Sequence, residues 1–456
     1  MVGLVSLGCS KNLVDSEAML GRMVAAGFHI TNDPSGADVL IVNTCGFITG
    51  AKRESIDAIL EMAAYKDSGR CRALVVAGCL AQRYRNDLIV EVPEIDAIIG
   101  VREVDRIVEA VDLALSGRRV ENLPESAGSS GDSPEFDPAA GTPRTRPRVG
   151  LTPQYTAYLR IADGCSNRCA YCAIPSIRGD LRSRPLQELI SEARALAESG
   201  VRELVVVAQD CTVYGLDIYG KPSLHALIRE LARTDGLEWV RLMYCYPSRV
   251  SDDLIEVMAS EPRACHYIDI PAQHASARVL KSMNRSHDGE TVLRTVEKLR
   301  KAMPDIAVRT TLMVGFPGET EEDFETLLAF LRSARFDRAG VFEYSREEGT
   351  PAASLPGQVD RRIKRERYHR AMSLQNRISG EINEGLIGKT IKVLLERQAP
   401  PDRRGAPRWI GRSWRDAPEV DGVVRVTGVI AGAAEGCFVN ATVTRASAYD
   451  LYAVIV

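Results

Sequence analysis

The sequence predicts a multidomain α/β protein with three folded regions. We expect an open parallel α/β sheet at the N-terminus, an incomplete (β/α)6 barrel in the centre and a small β-barrel at the C-terminus. Apolar runs of strand length alternate with helical patterns over roughly the first 385 residues, which is typical of parallel sheets. Alternating, β-branched runs with glycine-rich turns follow them. A protein of 456 residues is also too long for one ordinary core.

The N-terminal region extends over residues 1–120. Its predicted strands are residues 2–7, 38–42 and 73–77, and helical patterns begin near Lys11, Ala51 and Gln82. Residues 121–150 form the next segment, in which five prolines alternate with Gly and Ser and large apolar residues are scarce. Because such a stretch buries too little surface to order itself, we predict a flexible linker there.

The central region, residues 151–385, contains six apolar strand candidates separated by helical patterns. They are residues 157–162, 203–208, 239–244, 266–271, 307–315 and 339–344. An eight-fold barrel would need two more strand–helix units, so an incomplete barrel is the natural interpretation. The charged segment 360–384 is predicted to be a helix that leads onward.

The C-terminal region, residues 386–456, changes character. Residues 390–396, 422–429 and 437–446 are predicted strands, and residues 400–418 are expected to form a loop off the barrel. The region carries ten Lys and Arg and seven Asp and Glu, a difference of +3. This mildly basic balance does not decide whether the region binds nucleic acid or protein.

Composition narrows the cellular setting. The formal net charge of −3 gives no global basic field for nucleic acid. No apolar run is long enough to span a membrane, and no charged leader with a cleavage site precedes the first strand. We therefore expect a cytoplasmic protein with no membrane partner. In that compartment clustered cysteines more often bind metal or do chemistry than form disulfides, and the sequence has eleven cysteines.

Three cysteines follow the first strand of the predicted central barrel. Cys165, Cys169 and Cys172 have the spacing C-x3-C-x2-C, and thiolates are the ligands that iron–sulfur clusters prefer. Three ligands instead of four leave one iron open to another molecule. The alternative is a zinc site, but zinc usually needs a fourth Cys or His, and none lies nearby in the sequence.

This loop resembles the signature of the radical S-adenosylmethionine (SAM) superfamily. The position after the first barrel strand fits, and Tyr171 matches the usual aromatic residue before the last cysteine. The resemblance implies that Cys165, Cys169 and Cys172 hold a catalytic 4Fe-4S cluster whose open iron binds SAM. Cleavage of SAM then releases a deoxyadenosyl radical, and the backbone of Tyr171 faces the adenine.

A second triplet lies in the N-terminal region. Cys9, Cys45 and Cys79 each lie one to three residues beyond a predicted strand. Ligands bind at that edge of open α/β sheets, so the three thiols are expected to meet and to bind a metal or cluster. Gly8, Gly46 and Gly78 flank them and would allow close backbone approach. The alternative for any one of them is a buried apolar cysteine.

The segments around the second triplet resemble the methylthiotransferase family. Its motifs are matched by residues 8–17, by Asn43-Thr44-Cys45 and by residues 78–82. The resemblance covers nearly the whole sequence and implies a second 4Fe-4S cluster on Cys9, Cys45 and Cys79, with a C-terminal barrel of the TRAM type. Such enzymes insert sulfur into an unactivated C–H bond and methylate it, which implies a sulfur donor and an electron donor such as flavodoxin or ferredoxin.

Two substrate classes divide that family. One branch modifies an adenosine in transfer RNA, and the RimO-type branch modifies an aspartate in a small-subunit ribosomal protein. Several stretches resemble the RimO-type branch: residues 8–12, 177–184, 208–210, 214–215, 271–274 and 344–351. We therefore expect a ribosomal protein as substrate. Transfer RNA is the alternative substrate, and a nonenzymatic RNA- or ribosome-binding protein with a structural cluster is a third hypothesis.

Polar residues at strand ends of the central barrel are candidates for binding the cofactor. Gln209 follows the second strand with Asp210, Gln273 follows the fourth with His274, and Arg309 and Gly315 lie on and at the end of the fifth. With Tyr171, we predict that Gln209, Gln273, Arg309 and Gly315 bind SAM, while helix capping is the alternative role. His274 could instead contact substrate or move a proton near neutral pH. Of the remaining cysteines, Cys211 could face the barrel interior. The other four are expected to be packing residues: Cys71, Cys245, Cys265 and Cys437.

Overall fold

The structure is a computed structural model that describes residues 1–123, 136–137, 142–143, 147–401, 407–428 and 432–456. Most of the predicted linker, residues 121–150, thus lies outside the described residues. The helices are α1 (Ser10–Ala25), α2 (Thr49–Ala63), α3 (Tyr65–Ser68), α4 (Cys79–Arg83), α5 (Arg85–Glu91), α6 (Ile107–Leu115), α7 (Ile174–Arg178), α8 (Leu186–Glu198), α9 (Leu216–Tyr219), α10 (Leu224–Ala232), α11 (Asp252–Ser260), α12 (Ala277–Ser282), α13 (Gly289–Ala302), α14 (Glu321–Ala334) and α15 (Arg361–Glu384).

The strands are β1 (Val2–Ser6), β2 (Val39–Thr44), β3 (Ala73–Gly78), β4 (Ala97–Ile99), β5 (Phe136–Asp137), β6 (Thr142–Pro143), β7 (Thr156–Arg160), β8 (Ala162–Asp163), β9 (Arg182–Ser183), β10 (Glu203–Val207), β11 (Trp239–Leu242), β12 (Ala264–Asp269), β13 (Ala307–Val314), β14 (Arg338–Glu343), β15 (Thr390–Ala399), β16 (Arg408–Ser413), β17 (Val424–Thr427), β18 (Phe438–Ala446) and β19 (Leu451–Ile455). None of the described helices combines the length and apolar character that a bilayer crossing requires.

The N-terminal region is the open parallel sheet that the sequence predicts. Its strand order is β1-β2-β3-β4 and every pairing is parallel. Both faces of the sheet carry buried apolar clusters, to which α1 and α6 contribute on one side and α2, α4 and α5 on the other. Burial on both faces explains why β2 and β3 are continuous apolar runs in the sequence. The sequence did not predict β4, because three residues are too short a run to recognise.

The central region is an open half-barrel of six parallel strands. Their order is β7-β10-β11-β12-β13-β14, so the six strands lie side by side in the same order as the six predicted strands in the sequence. β7 and β14 stand at opposite ends of this sheet, which confirms the predicted incomplete barrel. Each of the six predicted strands overlaps one of these six.

Side chains from both flanking regions fill part of the half-barrel interior. Tyr158 and Trp239 from the half-barrel belong to one buried apolar cluster with Val14 of α1 and with Leu394 and Ala417 of the C-terminal region. The concave face of an open barrel would otherwise expose its apolar residues to water. The three regions are therefore joined by one shared apolar cluster, in addition to the clusters that each has of its own.

The C-terminal region is a closed five-stranded barrel of order β15-β16-β17-β19-β18, as the predicted small β-barrel requires. The expected loop at residues 400–418 is wrong in part, because it contains β16 (Arg408–Ser413). Flanking prolines and two arginines within the strand interrupt its apolar pattern in the sequence. Arg412 is on the face of β16 that packs against the half-barrel, where it pairs with the carboxylate of Glu203.

Buried ion pairs dock the C-terminal barrel against the half-barrel. Glu203 of β10 is fully buried and accepts hydrogen bonds from Arg241 Nε at 2.8 Å and from Arg412 Nη1 at 3.1 Å. Arg338 of β14 pairs with Asp416 at 2.9 Å. Burial opposes ionisation of Glu203, but Arg412 and Arg241 outweigh it and lower its pKa to about 2. Part of the basic excess counted in the C-terminal region is thus neutralised inside the protein.

Candidate active site

Three cysteines lie at the carboxyl edge of the N-terminal sheet, where the sequence places them. Cys9 follows β1 and directly precedes α1, Cys45 follows β2, and Cys79 opens α4 after β3. Cys79 is buried, Cys45 is half-buried and Cys9 is exposed. Adjacent parallel strands thus bring together thiols that are far apart in the sequence.

Glycines without room for a side chain let these loops converge. Gly8 and Gly78 have left-handed φ angles of 96° and 95°. A Cβ on Gly8 would lie 2.9 Å from Cβ of Cys45, and one on Gly78 would lie 2.3 Å from Oδ1 of Asn43. A side chain at either position would push the cysteine-bearing loops apart. The expected role of the glycines in close approach therefore has a geometric basis in the contacts between the loops themselves.

The carboxamide of Asn12 connects the three cysteine-bearing loops. Its Nδ2 donates to the carbonyl of Leu7 at 3.1 Å and to that of Thr44 at 2.8 Å, just before Cys9 and Cys45 in the sequence. Its Oδ1 accepts from Sγ of Cys79 at 3.5 Å and from Nη2 of Arg178 at 2.7 Å. One side chain thus holds the N-terminal triplet together and ties it to the central region.

The central triplet lies on one loop between β8 and α7. The backbone N–H of Cys165 donates to the carbonyl of Gly179 at 3.0 Å, and that of Cys172 donates to the carbonyl of Cys169 at 3.0 Å. Arg285 approaches from the segment before α13, with Nη1 3.9 Å from Sγ of Cys169. These bonds close the loop that carries the three half-exposed cysteines.

All six cysteines line one cavity of about 350 Å³. The cavity lies between the carboxyl edge of the N-terminal sheet and the carboxyl ends of the half-barrel strands, and both regions contribute its walls. The sequence predicts two triplets in different regions but does not predict that they face one another. This juxtaposition is the main feature that the structure adds.

Buried charges fix the two triplets relative to each other. Arg178, only 1% exposed, pairs with Asp15 of α1 at 2.9 Å and with Asp163 of β8 at 3.1 Å. Arg160 of β7 also pairs with Asp15. Burial opposes ionisation of Asp163, but Arg178 and Arg160 outweigh it and hold the pKa of that carboxyl well below its usual range. Asp15 and Asp163 thus bind Arg178 from opposite regions.

The metal-free thiols differ in their acidity. Burial raises the pKa of Cys79 to about 11 and that of Cys172 to about 12. The thiol of Cys9 is accessible from the cavity, yet protein surrounds it closely. Burial there also favours the neutral thiol, but Lys11, a backbone N–H and Arg178 outweigh it, so that the pKa of Cys9 is lowered. Because ligands must be deprotonated, metal binding to either triplet releases protons.

The donor set fits iron–sulfur clusters. Within the described part of the protein, no three His, Cys, Asp or Glu side chains converge as closely as a single metal ion requires. A cubane cluster instead separates its thiolates by its own width and takes three or four of them. The cavity also contains a buried acceptor, Oε1 of Gln209, which has no hydrogen-bond partner among the described residues. Such an atom suits the amino or hydroxyl donor of a bound cofactor.

Three of the five residues predicted to bind SAM line this cavity: Tyr171, Gln209 and Gln273. The hydroxyl of Tyr171 accepts a hydrogen bond from Nη1 of Arg285 at 3.1 Å. Gln273 has a φ of 67°, which is unusual for a residue other than glycine, and its N–H donates to the carbonyl of Thr311 at 2.8 Å. Their placement is consistent with the predicted role.

The structure does not bring Arg309 or Gly315 to the cavity. Arg309 is the third residue of β13, near the amino end of the strand, and pairs with Asp269 at 2.9 Å and with Asp421 of the C-terminal region at 3.4 Å. The N–H of Gly315 donates to the carboxylate of Glu319 at 2.6 Å. Both groups are therefore engaged within the protein.

His274 differs from the expectation of a titrating group near neutral pH. Its ring is fully buried, its Nδ1 accepts from the N–H of Ser276 at 3.0 Å, and burial lowers its pKa to about 4. The ring thus stays neutral at physiological pH. Cys245, which was assigned to packing, is in the buried core and also lines the cavity. Cys211, which was expected to be able to face the barrel interior, is in the same buried core but does not line the cavity.

Sequence reasoning missed several charged and aromatic residues of the cavity. Lys11, Arg178, Tyr244 and Arg285 all line it. Lys11 and Arg178 lie in stretches that resemble the methylthiotransferases, which is the only signal that pointed to them. A lone Lys or Arg is usually assigned to a solvated surface, and only the fold shows that these are buried.

Three family models match the protein. Residues 1–100 match the uncharacterized protein family UPF0004, residues 159–331 match the radical SAM superfamily, and residues 387–456 match the TRAM domain. These matches place one family model on each of the three folded regions.

Curated relatives match over nearly the full length. A protein of Desulforamulus reducens is 50% identical over 454 residues, covering 99% of this protein and 98% of the relative. One from Pelotomaculum thermopropionicum is 53% identical and covers 93% and 92%. One from Geobacter sulfurreducens is 49% identical and covers 100% and 98%. All three are named ribosomal protein uS12 methylthiotransferase RimO.

Solved structures share the fold at low identity. The radical SAM methyltransferase TsrM from Kitasatospora setae, with tryptophan and a SAM analogue bound, has a TM-score of 0.57 at 15% identity and covers 83% of this protein and 89% of that one. The same enzyme with cobalamin and a [4Fe-4S] cluster has a TM-score of 0.55 at 17% identity and covers 77% and 73%. At these identities the likeness is one of fold alone.

Proposed function

The protein belongs to the RimO family of ribosomal protein uS12 methylthiotransferases, and we propose that it attaches a methylthio group to an aspartate of uS12 by radical SAM chemistry. The observation that carries the proposal is the single cavity lined by both cysteine triplets. A carbon radical must be formed and meet sulfur at the same place, because positioning supplies much of the rate of such a step. Two cluster sites that open onto one cavity meet that requirement.

The cofactors are two 4Fe-4S clusters and SAM. Each cysteine triplet would hold one cluster, and when bound these groups supply the radical that removes a hydrogen atom and the sulfur that replaces it. The protein's own residues bind and orient these groups. Oε1 of Gln209, which has no partner in the described part of the protein, can accept a hydrogen bond from SAM. Arg285 holds the hydroxyl of Tyr171 beside the central triplet.

Aromatic and apolar walls protect the reaction space. Phe47 from the N-terminal region and Ile174, Tyr244 and Tyr246 from the central region line the cavity. Excluding water prevents side reactions of a reactive intermediate, and these apolar and aromatic side chains help to keep water out of the cavity. Arg178, Asp15 and Asp163 keep the two walls at a fixed separation.

The choice of a protein substrate over transfer RNA rests on the shared name of the relatives and on charge. Arg412 and Arg415 of the C-terminal barrel are buried in ion pairs with the half-barrel, so neither is available to the phosphates of an RNA. A reductant such as flavodoxin or ferredoxin and an external sulfur donor complete the proposed partners. Reduction of the clusters requires electrons, and repeated turnover requires new sulfur. Because the substrate is a ribosomal protein, we propose that the protein acts in the cytoplasm.

The test uses anaerobically reconstituted enzyme with uS12, SAM and a reductant. We expect about eight irons per molecule, deoxyadenosine, and a methylthio group on an aspartyl peptide by mass spectrometry. Alanine at all three cysteines of either triplet should halve the iron. The variant of the central triplet should make no deoxyadenosine, whereas the N-terminal variant should retain some. Modification of transfer-RNA adenosine with uS12 untouched would overturn the proposal.

A further inference from the structure

Lys11 places a buried positive charge in the cavity between the two triplets. Its side chain is 8% exposed and lines the cavity. It lies in the first turn of α1, two residues after Cys9, and its Nζ is 3.6 Å from the ring centre of Tyr244 in the half-barrel. The ammonium group is therefore at the junction of the two regions that carry the triplets.

No carboxylate neutralises this ammonium within the described part of the protein: no Asp or Glu oxygen there forms an ion pair with Nζ of Lys11. Among the other cavity cations, Arg178 pairs with Asp15 and Asp163. Arg285 donates to the hydroxyl of Tyr171 and to the carbonyl of Pro271. Asp210 also lines the cavity, but its carboxylate binds Arg249 at 2.8 Å. The Cys9 thiolate, once formed, is one anion beside Lys11, but Arg178 and backbone N–H groups share it. A tyrosine ring compensates a buried cation only in part, so Lys11 can still bind a further anion. The site is therefore suited to an anion that enters the cavity.

We propose that Lys11 binds the β-carboxylate of the substrate aspartate and thereby selects aspartate. This inference rests on the proposed function. The aliphatic hydrogens of an aspartate side group are on the β-carbon, and that carbon carries the carboxylate directly. A cation that holds the carboxylate therefore positions the C–H bond beside it, inside the cavity that both triplets line. Lysine supplies a compact charge on a flexible stem, which suits a ligand that enters between two walls.

SAM also carries a carboxylate, so the carboxylate that Lys11 binds could belong to SAM instead of uS12. The two sources predict different effects of replacing Lys11. If the carboxylate belongs to uS12, the loss is confined to the use of aspartate. If it belongs to SAM, the affinity for SAM falls with any substrate.

The experiment compares Lys11→Met, the charge-retaining Lys11→Arg and the control Lys301→Met, an exposed lysine of α13. Substrates are uS12 and uS12 with asparagine at the modified aspartate. Because a hydrogen bond to a charged group contributes about 1.5–3 kcal/mol, the wild type should prefer aspartate by about tenfold to a hundredfold in kcat/KM. Lys11→Met should abolish this preference, Lys11→Arg should keep part of it, and Lys301→Met should match the wild type. The Kd for SAM, measured by equilibrium dialysis, should stay within about twofold in all.

Several outcomes would overturn the proposal. A fall in SAM affinity in Lys11→Met, with the preference for aspartate retained, would assign the carboxylate to the cofactor. Should Lys11→Met fail to fold or to retain iron, the wild type decides, since equal use of aspartate and asparagine refutes carboxylate recognition. Modification of neither uS12 form, with transfer RNA modified instead, would show that the proposed function has failed and the inference with it.

Discussion

Replacing Arg178 with methionine removes a guanidinium that joins the two cysteine-bearing regions. Its hydrogen bonds reach Oδ1 of Asn12 at 2.7 Å, Asp15 at 2.9 Å and Asp163 at 3.1 Å. Methionine keeps a similar length and apolar stem but none of these bonds. We expect the N-terminal sheet to detach more easily from the half-barrel and the two triplets to lose their fixed separation.

The magnitude follows from what each partner retains. Breaking a buried ion pair costs about 3–5 kcal/mol, because the remaining charge is left uncompensated. Here Asp15 keeps Arg160, and Asp163 keeps the N–H of Gly164 at 3.0 Å and Nε2 of Gln209 at 3.3 Å. We therefore expect a loss near the lower end, about 3 kcal/mol, which a domain stable by about 5–15 kcal/mol survives.

Two measurements check this expectation. Urea unfolding of the metal-free protein should shift to a lower midpoint in Arg178→Met. In the reconstituted enzyme, the deoxyadenosine formed per methylthio product should rise, because radicals would form without sulfur held in place. Arg178→Lys, which keeps the charge, should show a smaller effect on both. A wild-type midpoint together with a wild-type product ratio in Arg178→Met would refute the reasoning.

Three further predictions concern other contacts. Gly8→Ala, whose Cβ would lie 2.9 Å from Cβ of Cys45, should lose the N-terminal cluster and retain about half of the iron, and full iron content would contradict this. Because the pKa of Glu203 is about 2 in the folded protein and 4.5 ordinarily, its stabilisation of about 3 kcal/mol is complete above pH 4.5 and lost as the pH falls towards 2. The urea midpoint of Glu203→Gln should depend less on pH over that window; an unchanged dependence would argue against it. Glu347→Ala removes the carboxylate that accepts from the N–H of Thr49 at 2.8 Å, so amide exchange in the first turn of α2 should accelerate in mass spectrometry, whereas unchanged protection would disprove this contact's role.

Much of the fold could be predicted because buried parallel strands are continuous apolar runs. All six half-barrel strands and three of the four N-terminal strands were predicted in that way. β16 was not, because Arg408 and Arg412 interrupt its apolar residues and a partner of Arg412 lies in another region. Arg412 reaches Glu203 across 209 residues of sequence, and no local pattern carries that information.

The residues of the candidate site also differ in whether local sequence could predict them. The cysteines could be predicted because spacing and strand ends are local properties of the sequence. The charges of Lys11 and Arg178 could not be assigned, because their burial depends on the docking of two regions. Arg309 was predicted to bind the cofactor from its strand alone, yet its place near the amino end of β13 directs it to Asp421.

Glu203 also constrains how such a protein can evolve. Its carboxylate is buried at the base of the half-barrel and is satisfied by Arg241 of the same sheet and by Arg412 of the C-terminal barrel. A C-terminal barrel exchanged from another enzyme would have to bring an arginine to the same position or leave this acid half-neutralised. Changes on the other strands of the C-terminal barrel leave this contact intact, whereas the strand that carries Arg412 is constrained together with the half-barrel.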